Sequence, residues 1–145
     1  MVIAYGCATT TFRAHTALNM PEKKLVTIEE TSSVGFFFLL GTIGGYGVTV
    51  KQIDEEETGI RPSIFHIGAG SHVIRIQLVD NVFSLGLGEI ICQCEGVLHF
   101  DAQEGKQYVI EPNRESKPVE LQIKDKETNT LVAKTICQRT SHALC

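Results

Sequence analysis

From Lys24 onward, apolar and polar residues alternate in short runs separated by turn residues. A period of two puts successive side chains on opposite faces of an extended strand, whereas a helix repeats its apolar positions three and four apart. Val26 and Ile28 share one face of a first predicted strand, Val48 and Val50 share a face of a later one, and Ile64 and Ile67 bracket a short segment after Pro62. Between Ser71 and Val79, the residues Ile74, Ile76 and Leu78 point one way and Arg75 and Gln77 the other. In Ile90 to Phe100, Cys92, Cys94, Leu98 and Phe100 oppose Gln93, Glu95 and His99. In Val119 to Asp125, Val119, Leu121 and Ile123 oppose Glu120, Gln122 and Lys124. Strands with one wet face bury the other in a sandwich or barrel.

Turn chemistry joins these strands. Gln103-Glu104-Gly105-Lys106 reads as a hairpin turn into Gln107 to Glu111, and Lys126 to Thr130 as a polar turn into Leu131 to Cys137. Pro112 and Pro118 bound a loop that lacks ladder donors. Thr11 to Lys23 carries Pro21 and no apolar stripe, which predicts a flexible tether rather than a helix. The expectation is an all-β chain. Residues 24–138 form an antiparallel β-sandwich, immunoglobulin-like or related, of about seven or eight strands, with a tether over 1–23 and a tail over 139–145.

The length of 145 residues suits one domain with a real core. A net charge of −4, with Lys23-Lys24 the only adjacent basic pair, argues against nucleic-acid binding, which needs a basic face. Residues Thr31 to Val50 carry no charge, but Gly35, Gly41, Gly44, Gly45 and Gly47 interrupt the run. Its dense apolar part, Phe36 to Leu40, is too short to span a bilayer, so a buried strand followed by a glycine-rich loop is expected.

Motifs for chemistry fare poorly. Gly68-x-Gly70 and Gly86-Leu87-Gly88 lack the third glycine and the following helix of a dinucleotide site. Ser71 and His72 are adjacent on a strand and face opposite ways, so they cannot form a nucleophile–base pair; His72 shares the parity of Ile74 and is expected at the rim of the core. The run Asp54-Glu55-Glu56-Glu57 lacks the ligand alternation of a calcium loop and reads as a solvated turn. Cys92-x-Cys94 with Cys137, His142 and Cys145 has metal-binding residue types, yet two of its cysteines lie in an apolar strand rather than on a zinc knuckle. No catalytic, cofactor or metal residue is therefore assigned.

The opening segment from Met1 to Thr10 resembles the end of a bacterial lipoprotein signal, with Gly6 before Cys7 and Ala8-Thr9-Thr10 after it. That resemblance implies lipidation at Cys7 and a leader upstream of Met1. Setting Cys7 aside leaves Cys92, Cys94, Cys137 and Cys145, an even number that suits an oxidising compartment. Cys92 and Cys94 share a strand face about 6.5 Å apart, too awkward for a mutual bond in a regular strand. Cys137 is expected to pair with one of them, and Cys145 to pair with the other or stay free.

Three further stretches resemble those of small uncharacterised bacterial envelope lipoproteins: Ile67 to Ile76, with a glycine turn and His72; Phe100 to Tyr108, with Gly105-Lys106 before a buried tyrosine; and Ile123 to Thr128 with Leu131-Val132. The resemblance spans roughly Leu25 to Ala133 and implies a sandwich in the envelope. Where such proteins have a glycine turn after Ile53-Asp54, this chain has Glu55-Glu56-Glu57. Tyr108 is expected to bond its hydroxyl to the preceding turn, as a tyrosine corner does.

The functional expectation is a non-catalytic binding or assembly module, lipid-anchored in the envelope and facing the periplasm. It needs no cofactor, and its partners would be the membrane and an unknown envelope protein or ligand. The alternatives are a cytoplasmic β protein binding zinc through its cysteines and an enzyme with a loop-built site.

Overall fold

The computed structural model describes residues 10–37, 42–59, 62–84 and 88–140. Its strands in chain order are β1 Thr11–Arg13, β2 Val26–Glu30, β3 Ser32–Phe37, β4 Thr42–Ile53, β5 Glu56–Glu57, β6 Ile64–Ile67, β7 Gly70–Ser84, β8 Gly88–Ala102, β9 Gln107–Asn113, β10 Glu120–Asp125, β11 Leu131–Ile136 and β12 Gln138–Arg139. Helix is confined, among the described residues, to two 3-10 turns, His15–Ala17 and Glu22–Lys24.

The strands form two sheets. A short-stranded sheet has the order β1-β6-β2-β9-β10-β11, and a long-stranded sheet the order β12-β8-β7-β4-β3, with β5 also pairing β4. The faces meet over Val26, Ile28, Phe65, Ile67, Ile110, Leu121 and Ile123 from the short sheet and Val48, Val50, Ile53, Ile74, Ile76, Leu78, Leu98 and Phe100 from the long one, all buried. This all-β sandwich is the architecture the alternation predicts, with more strands than expected.

Three details depart from expectation. The short sheet is not purely antiparallel: β1 pairs parallel with β6, and β2 parallel with β9. The chain returns to the short sheet first as β6, antiparallel on one side of β2, and after β7 and β8 of the long sheet as β9, parallel on the other side of β2.

The segment expected as a tether is docked from Thr11 onward: β1 adds to the sheet, Ala14 and Ala17 are buried, and Arg13 Nε donates to Ala17 O at 2.8 Å. Small alanines fill shallow gaps without an apolar stripe, which hid the docking from a periodicity argument. At the other end the fold reaches past position 138, since Arg139 pairs with Cys94 and Thr140 N–H donates to Gln93 O.

The acidic turn closes without glycine. Asp54 and Glu55 have φ of 49° and 70°, and the flanking pairs Ile53–Glu56 and Gln52–Glu57 make them a two-residue hairpin loop. Asp54 is compensated by its side chain: Oδ1 accepts Val73 N–H at 2.8 Å and Oδ2 meets His72 Nδ1 at 2.5 Å.

Candidate functional site

A cleft of about 450 Å³ opens beside the cysteines, lined by Leu78, Asp80, Cys92, Gln93, Cys94, Pro118, Val119, Cys137 and Arg139. Its position follows from the crossover of the chain from β11 to β12. Cys137 N–H donates to Val119 O at 2.8 Å on the short sheet, and two residues later Arg139 pairs with Cys94 on the long one. The crossover is closed by a disulfide between Cys94 and Cys137, with α-carbons 5.4 Å apart. Both half-cystines are buried, so the bridge forms a wall of the cleft rather than an exposed redox centre.

The sheets approach closely here because of Gly96. A β-carbon at that position would stand 2.7 Å from Thr135 Cγ2 and 3.0 Å from Leu121 Cδ1. Four residues along β7 from Ile76, the partner of Gly96, Asp80 is held by Arg114 at 2.6 Å, and the Arg114 guanidinium lies 5.2 Å from the centre of the Tyr46 ring. The cleft thus combines apolar walls with Asp80 and Arg139, a composition suited to holding a small apolar body with a charged end.

Two other polar clusters are structural by geometry. At the opposite end, His72 is 4% exposed; Nε2 donates to Gly68 O at 2.8 Å while Nδ1 meets Asp54. A His–Asp pair acts as a general base only through a free Nε2, and this one is committed to a carbonyl. The placement of His72 at the core rim agrees with its strand parity. Tyr108 is buried edge-on against Phe100, 5.3 Å between centroids, and its hydroxyl accepts Gln103 N–H at 3.1 Å, the tyrosine-corner role expected of it.

Between the sheets, Glu30 Oε1 accepts Val50 N–H at 2.7 Å, where β4 bulges. Burial raises the Glu30 carboxyl from 4.5 to about 7 against the opposing pull of that hydrogen bond and of Lys51. Asp125, holding Thr128 N–H and Glu127 N–H in the last turn, is lowered, first by the Thr128 bond and next by Lys106 at 3.1 Å.

Family models, curated proteins and solved structures yield no match to this chain. The site is therefore read from its own chemistry.

Of the sequence-assigned cysteines, Cys94 and Cys137 are brought together as expected, and Cys92 is also disulfide-bonded. Cys7 and Cys145 lie outside the described residues, as does His142. Among the described residues no group of three or more His, Cys, Asp or Glu is placed to hold a metal ion. Asp80 and Arg139 are not singled out by the sequence, which marks Pro118 and Val119 only as a loop boundary and a core-facing strand position. Asp80 and Arg139 fall opposite Cys92 and Cys94 in register, and Val119 accepts Cys137 N–H, relations that require the pairing of the strands to be known.

Proposed function

We propose that this chain is a lipid-anchored module of the bacterial envelope that works by binding, with the cleft beside the Cys94–Cys137 bridge as its ligand site. The observation that carries the reading is the Cys94–Cys137 disulfide beside the cleft. Cys94 and Cys137 are joined, and Cys92 is disulfide-bonded as well. We assign Cys145 to Cys92, because β12 runs antiparallel to β8 and Thr140 is bonded to Gln93, the neighbour of Cys92. β1 lies at the far edge of the other sheet, well away from β8. In this reading Cys7 is the acylated residue, next to Gly6 in the context that resembles a lipidation junction.

A disulfide framework fits an oxidising compartment. The rival zinc reading would need thiolates where Cys94 and Cys137 are bonded to each other.

The test is metabolic labelling with an alkyne fatty acid in a bacterial host that expresses the chain behind a lipoprotein leader. Label that is lost on Cys7→Ser supports the reading; wild-type protein that is processed and exported without label contradicts it.

A further inference from the structure

The cleft beside the Cys94–Cys137 bridge is electrostatically one-sided. Residues directly opposite on neighbouring strands share a face, so the row Leu78–Cys94–Arg139 and the row Asp80–Cys92 present their side chains to the same side of the long sheet. That side is the inner one, because Leu78 and Cys94 belong to the core and Cys94 reaches Cys137 where the chain leaves the short sheet. Arg139 thereby lines the cleft from β12, the edge strand of the long sheet.

Asp80 and Arg139 are the two charged residues of the lining, and they differ in their partners. Asp80 is neutralised. Arg114 donates to its Oδ2 at 2.6 Å, and the same guanidinium lies against the Tyr46 ring, which holds the pair at one end of the cleft. Arg139 has no such counterpart: among the described residues, no carboxylate forms an ion pair with it and its guanidinium makes no hydrogen bond. β8 separates β12 from β7, so two strand spacings, roughly 10 Å, lie between the backbones of Arg139 and Asp80. An unbalanced positive charge is left at the rim.

The rest of the lining suits an apolar body. Leu78 and the bridge form the floor, and Pro118 and Val119, in the loop entering β10, form the opposing wall. A volume of about 450 Å³ is in the range that encloses a small molecule.

From this arrangement we infer that the ligand of the cleft is an amphiphile with a carboxylate head and an aliphatic body. The head accepts from the Arg139 fork at the rim, and the chain lies over the bridge between Leu78 and Val119. The inference rests on the reading of the cleft as the binding site and adds the class of molecule. Carboxylate is favoured over phosphate because Arg139 supplies one charge, which balances a monoanion, whereas a phosphate monoester carries close to two near neutral pH. A cationic amphiphile would meet Arg139 with no free acid to offset it, since Asp80 is engaged by Arg114.

The test uses the oxidised full chain, with calorimetry for affinity and the methyl resonances of Leu78 and Val119 for location. Octanoate, 1-octanol, octyltrimethylammonium and octyl phosphate share one chain and differ in the head. Octanoate should bind and shift both methyl signals, while Val73, exposed on the outer face of the long sheet, stays unchanged. 1-Octanol and octyl phosphate should bind more weakly, and octyltrimethylammonium most weakly. Arg139→Gln should weaken octanoate roughly tenfold, the effect of withdrawing a charge-assisted hydrogen bond, and leave 1-octanol unchanged. Arg139→Glu should reverse the preference between octanoate and octyltrimethylammonium. Arg75→Gln, on the outer face opposite Val97, should change nothing. Added salt should weaken octanoate binding, because Arg139 is exposed. Circular dichroism and an intact Cys94–Cys137 bridge verify the fold of each variant.

Equal affinity for octanoate, 1-octanol and octyltrimethylammonium, or full octanoate affinity in Arg139→Gln, overturns the inference while the methyl shifts keep the cleft as a site. Tighter binding of octyl phosphate overturns the choice of head. Octanoate binding that bypasses Leu78 and Val119, or that weakens equally in Arg75→Gln, overturns the inference by placing the ligand elsewhere, and no octanoate binding overturns it outright. Labelling of Cys7 reads the anchor alone, so its outcome is independent of these.

Discussion

Cys94 on β8 is bonded to Cys137 at the point where the chain leaves the short sheet for the long one. The bridge ties the two layers directly and closes a segment with a sequence separation of 43. In the chain-entropy model, a closure of that length stabilises by about 4 kcal/mol. The variant carrying both Cys94→Ser and Cys137→Ser is expected to lose about that amount in urea denaturation.

Gly96 gives a sharper local test. Gly96→Ala puts a methyl group 2.7 Å from Thr135 Cγ2, and overpacking of this kind costs about 1–3 kcal/mol. Thr135→Ser removes the clashing methyl. Combining the two should recover most of the loss, and a double-mutant cycle by thermal denaturation should show a coupling above about 0.5 kcal/mol.

The two left-handed residues of the acidic turn should respond oppositely to glycine. Glu55→Gly relieves backbone strain at an exposed position and is expected to stabilise by up to about 1 kcal/mol. Asp54→Gly relieves similar strain but removes the acceptor for Val73 N–H and His72 Nδ1, a net loss of about 1–3 kcal/mol. Melting temperatures of the two variants decide it; equal shifts would contradict the clamp role of Asp54.

Glu30 predicts a pH dependence. Its folded carboxyl is raised from 4.5 to about 7, so between these values the native state holds a proton that the unfolded chain has released. Stability therefore falls as pH rises through this window, is unaffected by this group below pH 4.5, and is level again above 7. Discounted for partial solvent screening, the fall is about 1–2 kcal/mol. Glu30→Gln keeps an acceptor for Val50 N–H and should flatten the decline in urea titrations at successive pH values.

Much of the sandwich was legible because its core obeys simple alternation. Val26, Ile28, Ile74, Ile76, Leu98 and Ile123 are buried on the faces that period two assigns to them. Gln122 breaks the pattern: on the outward parity of β10 it is 9% exposed, bonded to Glu120 in a sheet whose neighbouring strands carry long side chains. Burial by neighbours is invisible to a one-strand argument.

The parallel pairings and the cleft were hidden for a related reason. Both depend on which strands lie side by side after the chain has changed sheets, and no local residue pattern encodes that. The disulfide was half legible. Strand parity put Cys92 and Cys94 on one face, but the choice of Cys94 for Cys137 depends on Arg139 pairing with Cys94.

The most direct measurement is a complete map of the five cysteines in protein extracted from bacterial membranes without reduction, by peptide mass spectrometry. The expected result is Cys94 bonded to Cys137, Cys92 bonded to Cys145, and Cys7 at the mature N-terminus carrying the acyl-glyceryl group. Finding Cys7 in a disulfide, or as a free thiol in exported and processed protein, would contradict it.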